Sequence, residues 1–295
     1  MSRSTTMCSR LAAACTVVAL SACSGMSTPP LPQAAAALSA QGIAEIVRST
    51  DRSATDRTND LRRKPEQMLA FIGIRPGIAA LDVSAAGGYT TELLARAIGP
   101  TGTVYAQRPP PRSPGAVAAP AQREGESRPD LVATQPAASP PAAPARNPIA
   151  DRDERLRSAG VPAAAIVAVI QSFENPVPAE VADGRLDLVT LMFNYHDMGH
   201  LGVDRVAMNR AIFQALKPGG IFVLADHAGR PGTGISESGT LHRIEEAFLR
   251  KEIEAAGFRQ QDEGTFLRNP NDPRDRNTPE PAQPKDEFVL KFVKP

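Results

Sequence analysis

Apolar positions along the chain fall into short continuous runs and stretches of helical spacing, and their alternation predicts a wound α/β fold. The clearest unit is Ile78 to Gly99. Ile78–Val83 is a short apolar run that reads as a buried strand. It breaks into a turn of small residues, Ser84-Ala85-Ala86-Gly87-Gly88. An amphipathic helix follows, with Leu93, Leu94, Ala97 and Ile98 at helical spacing and Gly99-Pro100 as its stop. Strand, tight turn and helix form the first unit of a nucleotide-binding α/β fold. The small residues let a ligand approach the backbone, and the helix N-terminus offers it free N–H groups.

The same alternation continues on both sides. Lys64–Ile72 predicts a helix with Pro65 in its first turn, where proline is tolerated. Thr103–Gln107, Ala164–Ile170, Leu186–Phe193 and Ile221–Ala225 predict strands, Leu186–Phe193 being apolar enough to be central. Asp151–Gly160 predicts a charged, exposed helix. Val203–Leu216 predicts one that turns Val206, Ala207, Ile212, Phe213 and Leu216 to the sheet. Thr240–Ala256 predicts a helix ended by Gly257, so that His242 lies in its first turn. Thr265-Phe266-Leu267 ends one further strand and Phe288–Val293 is the last, with no helix between them. The expected fold is therefore a Rossmann-like, doubly wound α/β domain: a seven-stranded, mostly parallel sheet with an antiparallel C-terminal strand.

Two stretches depart from the pattern. Residues 108–148 hold 11 of the 28 prolines and almost no large apolar residues. They are read as a disordered Pro/Ala-rich insertion in a surface loop. Residues 1–23 read as a targeting segment, with Arg3 and Arg10 before an apolar run from Leu11 to Ala22 that is short for a membrane span. Its end, Leu20-Ser21-Ala22-Cys23, resembles a bacterial lipobox. That resemblance implies cleavage before Cys23 and a lipid on its thiol. With Ser24 rather than Asp next, it implies an outer-membrane lipoprotein facing the periplasm. Residues 24–48 are read as a Ser/Pro/Ala-rich tether, leaving 49–295 as the folded domain. All three cysteines, Cys8, Cys15 and Cys23, lie in the targeting segment, so the domain has neither disulfide nor thiol nucleophile. A net charge of +1, no Trp and 4% aromatics argue against a nucleic-acid partner.

With these residues in view, the chain from Asp51 to Pro295, the insertion aside, resembles class I S-adenosylmethionine-dependent methyltransferases. More narrowly, it resembles a bacterial family of predicted exported methyltransferases. The stretches that carry the likeness are Asp51-Arg52-Ser53, Asn194-Tyr195-His196-Asp197, Leu216-Lys217-Pro218-Gly219-Gly220, Asp226-His227 and Gly239-Thr240-Leu241-His242-Arg243-Ile244. Leu267-Arg268-Asn269-Pro270 and Phe288 to Lys294 add to it. The resemblance implies that S-adenosylmethionine meets Asp82, Ser84, Ala86, Gly87 and Gly88 at the first turn, Gln107 at the second strand end, Ser172 near the adenine, and Asn194. Asp82 and Gly88 match the superfamily turn. Ser84 and Ala86 stand where it has glycine, so a Cβ at Ala86 is expected to crowd the cofactor or strain a positive φ. Gln107 replaces the acidic residue that binds ribose hydroxyls.

In a doubly wound fold the ligand lies at the carboxyl ends of the strands, and all four histidines map there. His196, Asp197, Asp226, His227 and His242 are the catalytic candidates. His196 or His227 is the expected general base, oriented by Asp197 or Asp226. Such a cluster can also hold a divalent cation, as related O-methyltransferases do, although no residue is assigned as a metal ligand. Arg230 and Arg243 are read either as contacts for an acidic substrate group or as solvated surface arginines. The leading expectation is methyl transfer from S-adenosylmethionine to a small-molecule acceptor by a protein held to the membrane through lipidated Cys23. The alternative is a catalytically inactive member kept as a ligand-binding or interaction module. A nicotinamide-dependent dehydrogenase fits less well, since the turn lacks Gly-x-Gly-x-x-Gly.

Overall fold

The computed structural model describes Met1 and residues 36–111 and 147–295. The expected targeting segment and most of the expected insertion lie outside the described residues. Seven strands form one sheet: β1 (Ala79–Val83), β2 (Thr103–Arg108), β3 (Ala165–Ile170), β4 (Leu186–Met192), β5 (Leu216–His227), β6 (Arg259–Gly264) and β7 (Glu287–Val293). Their order is β3-β2-β1-β4-β5-β7-β6. The first five pair in parallel; β7 runs antiparallel between β5 and β6. This is the doubly wound, seven-stranded α/β sheet the pattern predicts, with the reversed strand inside the sheet and β6 at its edge.

The central strands are apolar on both faces because helices cover both. On one face Ala80, Leu188, Met192, Val223 and Val289 pack with α1 (Ala40–Arg48), α3 (Pro65–Ile72), α4 (Tyr89–Ile98) and α5 (Pro148–Ser158). On the other, Leu81, Leu191, Phe222, Leu224 and Phe292 pack with α7 (Arg205–Ala215) and α8 (Glu246–Ala255). Neighbouring residues of one strand thus serve opposite cores, as the two-residue period of a strand requires.

Several boundaries differ from the expectation. The tether cannot run to residue 48: α1 occupies Ala40–Arg48, Ser39 Oγ accepts the Gly42 N–H at 3.1 Å, and Ile43 and Val47, one turn apart, are buried. The polar stretch after Asp51 is a helix, α2 (Ala54–Arg63), capped by Ser53. It lacks an apolar stripe, and ion pairs hold it instead: Arg52 to Asp60, and Asp56 to Arg152 of α5. α7 turns Met208, Asn209, Ile212 and Ala215 inward, while Val206 is 66% exposed. α8 begins only at Glu246. Before it, Ile244 makes a parallel bridge to Ala228 and His242 has φ 50°, so His242 sits in a loop and not in a helical turn.

Candidate functional site

The turn after β1 sits beside the point where the strand order reverses, between β1 and β4. There the connections leave in opposite directions and open a crevice. Ser84 and Ala86 both have positive φ, 59° and 46°, and Gly88 follows at 80°. Two side-chain-bearing residues therefore hold the left-handed conformation that a glycine-rich turn adopts freely, at ~1–2 kcal/mol each. The strain is held by contacts on every side. Ser84 N–H donates to Gln107 Oε1 at 2.9 Å, Ala85 N–H to the Gln107 carbonyl at 2.8 Å, and Ser84 Oγ to Asn194 Oδ1 at 2.7 Å. Arg152 Nε donates to the Gly87 carbonyl.

These contacts give two expected cofactor residues a bracing role. Gln107 is fully buried, its amide bridging the turn to the Gln171 carbonyl at 2.7 Å, so it braces the strand ends. Asp82 is 2% exposed, and its carboxylate accepts from Thr91 Oγ1 of α4 at 2.6 Å and Thr190 Oγ1 of β4 at 2.9 Å. It ties the first helix to the sheet. Ala86 and Gly87 are exposed, and a Cβ on Gly87 would meet nothing within 4 Å. Ser172 is exposed just beyond β3, next to the Gln171 that Gln107 holds.

Asn194 connects this turn to the histidines. Its Oδ1 takes the Ser84 hydroxyl, and its Nδ2 donates to Asp197 Oδ2 at 2.9 Å. Asp197 opens the short helix α6 (Asp197–His200). Its Oδ1 lies 3.0 Å from His196 Nε2, 2.8 Å from His242 Nδ1 and 3.7 Å from His200 Nδ1. The four rings form a chain, His227–His196–His242–His200, with centroids 5.3, 5.6 and 5.7 Å apart. Asp226 is buried beneath them. It accepts from His196 N–H at 2.8 Å and His227 N–H at 2.8 Å, and pairs with His196 Nδ1 at 2.6 Å.

The electrostatics separate these histidines. Burial alone would lower the pKa of His196. Asp226 and Asp197, one on each ring nitrogen, outweigh burial and hold it up at about 9. His196 is therefore clamped between two carboxylates that favour its charged form over the free imidazole a general base requires. Burial also opposes ionisation of Asp197, but hydrogen bonds from His196 and His242 hold its carboxyl well below the usual range. His227 is pushed far below an ordinary histidine by burial, then by the charges of Lys285 and His196. Its charged form is therefore disfavoured. Its Nδ1 lies 3.0 Å from Glu287 Oε1, out of line for a hydrogen bond. The remaining pair, Asp197–His242, has the geometry of an orienting carboxylate and a partly exposed imidazole. With Nδ1–H donated to Asp197, Nε2 is left as the proton acceptor.

Other residues at this rim carry no motif in the sequence. Arg62 and Arg63, at the end of α2, lie 5.0 and 4.5 Å from the ring centre of Phe193, the φ 59° residue that follows β4. Arg62 also pairs with Glu287 at 2.6 Å. Arg63, Met68, Tyr89 and Phe193 line a mostly apolar cleft enclosing about 350 Å³, open mouth included. The charge at the end of a polar stretch was visible; that α2 would bring it to the end of β4 was not. Arg243 is neither a substrate contact nor a surface residue. It is fully buried, pairs with Asp272 at 2.9 Å and donates to the carbonyls of Ala228 and Arg276. Arg230 pairs with Glu237. Tyr195 is buried between Glu252 and Asn209 and packs the far side of the sheet.

No protein-family model and no curated protein matches the chain. Solved structures align with it at low identity. A SAM-dependent methyltransferase from Aquifex aeolicus is 16% identical with a TM-score of 0.48, the alignment covering 83% of this chain and all of that one. An arsenic(III) S-adenosylmethionine methyltransferase from Chlamydomonas reinhardtii is 15% identical with a TM-score of 0.45, over 74% of this chain and 64% of that one. Fibrillarin from Aeropyrum pernix, crystallised with natively bound S-adenosyl-L-methionine, is 16% identical with a TM-score of 0.42, over 75% and 68%.

Proposed function

We propose that the protein transfers a methyl group from S-adenosylmethionine to a small-molecule acceptor at the β1–β4 crevice. The observation that carries this reading is the turn at the strand-order reversal. Its left-handed residues at 84, 86 and 88 give the backbone the form of a glycine-rich cradle, and Gly87 faces open space. The turn therefore fits the cofactor, and its amino-acid portion would lie over Ala86 and Gly87. The ribose has no acidic partner at Gln107 and would rest on other groups of the rim.

Bound there, the cofactor supplies a methyl group already activated on a sulfonium, so the protein has to position the acceptor and remove one proton. Asn194 links the cradle to Asp197, and Asp197 orients His242 to take the acceptor proton on Nε2. Phe193, Tyr89 and Met68 offer an apolar wall to the acceptor, with Arg63 at its edge. The reading extends to location. Arg3, Arg10, the apolar run and Leu20-Ser21-Ala22-Cys23 support export and a lipid anchor on Cys23, with the enzyme at the periplasmic face of the outer membrane.

Calorimetric titration with S-adenosylmethionine and S-adenosylhomocysteine tests the cofactor. The expected result is micromolar binding of both to the natural chain and its loss in Gly87→Leu, whose added side chain enters open space and leaves the fold intact. Absence of heat at millimolar ligand in folded protein would favour the inactive-module alternative, to which Ser84, Ala86 and Gln107 lend support.

A further inference from the structure

Three side-chain atoms at the rim converge as metal ligands do. His196, Asp197 and His242 each offer one donor atom within 4.8 Å of the other two, and Asp197 Oδ1 faces His196 Nε2 and His242 Nδ1. The oxygen is 3.0 Å from one nitrogen and 2.8 Å from the other. A tetrahedral ion with bonds of ~2.0–2.1 Å needs donors roughly 3.3 Å apart, a few tenths of an ångström more than the two oxygen–nitrogen separations and within the 4.8 Å that bounds all three.

The surroundings fix these donors from behind. Asp226 Oδ1 holds His196 Nδ1 at 2.6 Å and fixes which ring nitrogen faces Asp197, the carboxylate–histidine arrangement that orients metal ligands. Asn194 Nδ2 occupies Asp197 Oδ2 and leaves Oδ1 to the two rings. His200 stands at the side, its ring 5.7 Å from that of His242 and its Nδ1 on Ser238 Oγ at 3.0 Å. Two imidazoles with one carboxylate suit a borderline transition ion, where an all-oxygen set would suit magnesium or calcium.

We propose that His196, Asp197 and His242 bind one divalent transition-metal ion of the zinc class, leaving a coordination position for a water or an oxygen ligand. The inference rests on the donor set and stands whether or not methyl transfer is the activity. An ion here would take up the Asp197–His242 pair, and its charge would acidify an oxygen bound in the open position. It would also take the place of the hydrogens that bridge Asp197 to the two rings.

The test uses the full chain, stripped with EDTA and dialysed. Zn²⁺ is titrated calorimetrically, and Co²⁺ is followed by its visible absorption. The expected result is one ion per chain at micromolar or tighter affinity and no uptake of Mg²⁺. Asp197→Asn and His242→Asn, the latter keeping a residue that accepts positive φ, should each weaken binding at least tenfold; Asp226→Asn should weaken it ~10–100-fold through His196. Absence of stoichiometric uptake by the folded natural chain overturns the proposal. So does uptake that both Asp197→Asn and His242→Asn leave unchanged, which would place the ion elsewhere. Titration with S-adenosylhomocysteine in EDTA reports on the cofactor separately.

Discussion

Replacing Arg243 with Met should strongly destabilise the protein. Its guanidinium is fully buried and donates to Asp272, to the Ala228 carbonyl at 2.9 Å and to the Arg276 carbonyl at 3.1 Å. Met fills much of the volume but leaves the Asp272 carboxylate buried without its cation. Removing one partner of a buried pair costs ~3–5 kcal/mol. Asp272 keeps two backbone donors, the N–H groups of Asp286 at 2.7 Å and Arg274 at 3.0 Å, which offset part of the loss. The two abandoned carbonyls add to it, and ~4 kcal/mol is the expected total. In a domain of this size that lowers Tm by ~8–16 °C. Urea unfolding followed by circular dichroism gives the free energy directly. In the double variant Arg243→Met with Asp272→Asn no buried charge is stranded, so it should be more stable than the sum of the singles predicts, by ~1–3 kcal/mol. A loss below ~1 kcal/mol for Arg243→Met, or strict additivity in the cycle, would refute the reasoning and return Arg243 to an ordinary surface role.

Three further outcomes are expected. Ser84→Ala and Ser84→Gly both lose the hydrogen bond to Asn194, but only glycine is relieved at φ 59°, so Ser84→Gly should be the more stable of the two by ~0.5–1 kcal/mol in urea unfolding. Lys285 is pushed down to about 8, first by burial and then by Arg243. The folded protein therefore binds this proton less readily than the unfolded chain, and stability gains as pH rises from about 8 towards 10.5. Lys285→Met should accordingly stabilise by up to ~3 kcal/mol at pH 7 and by nothing near pH 10.5, which urea midpoints at the two pH values would check. Tyr195→Phe removes a hydroxyl that accepts from buried Asn209 and donates to Glu252; a loss of ~1–3 kcal/mol is expected, with S-adenosylhomocysteine affinity unchanged.

The sheet was legible because its strands are apolar runs cut by glycine and proline, and Ile78–Gly99 carries the first crossover almost residue for residue. The histidines were legible as a group, since each follows a strand end. Their roles were not. His196 and His227 have similar contexts in the chain, yet two carboxylates favour the charged form of one, and burial beside Lys285 disfavours it in the other. Asp82 and Gln107 looked like ligand contacts by position, but whether a strand-end side chain points outward or braces its neighbours depends on partners such as Thr190 and Gln171, remote in the chain. α2 escaped because charge pairing with α5 replaces the apolar face that periodicity detects. Arg243 escaped because a buried arginine and a surface one have the same spelling.

The placement of the long connection after β2 divides the sheet in an interleaved way. Everything before it contributes β1 and β2, which lie side by side. Everything after it contributes β3 on the outer side of β2 and β4 on the outer side of β1. Arg152 then crosses from the second part to Asp56, Gly87 and Glu92 of the first. Protease cleavage between Arg108 and Asn147 would therefore yield two fragments held by backbone ladders on two fronts. They should travel together in native mass spectrometry and separate only in denaturant, and the connection can change length or content without altering the frame it joins.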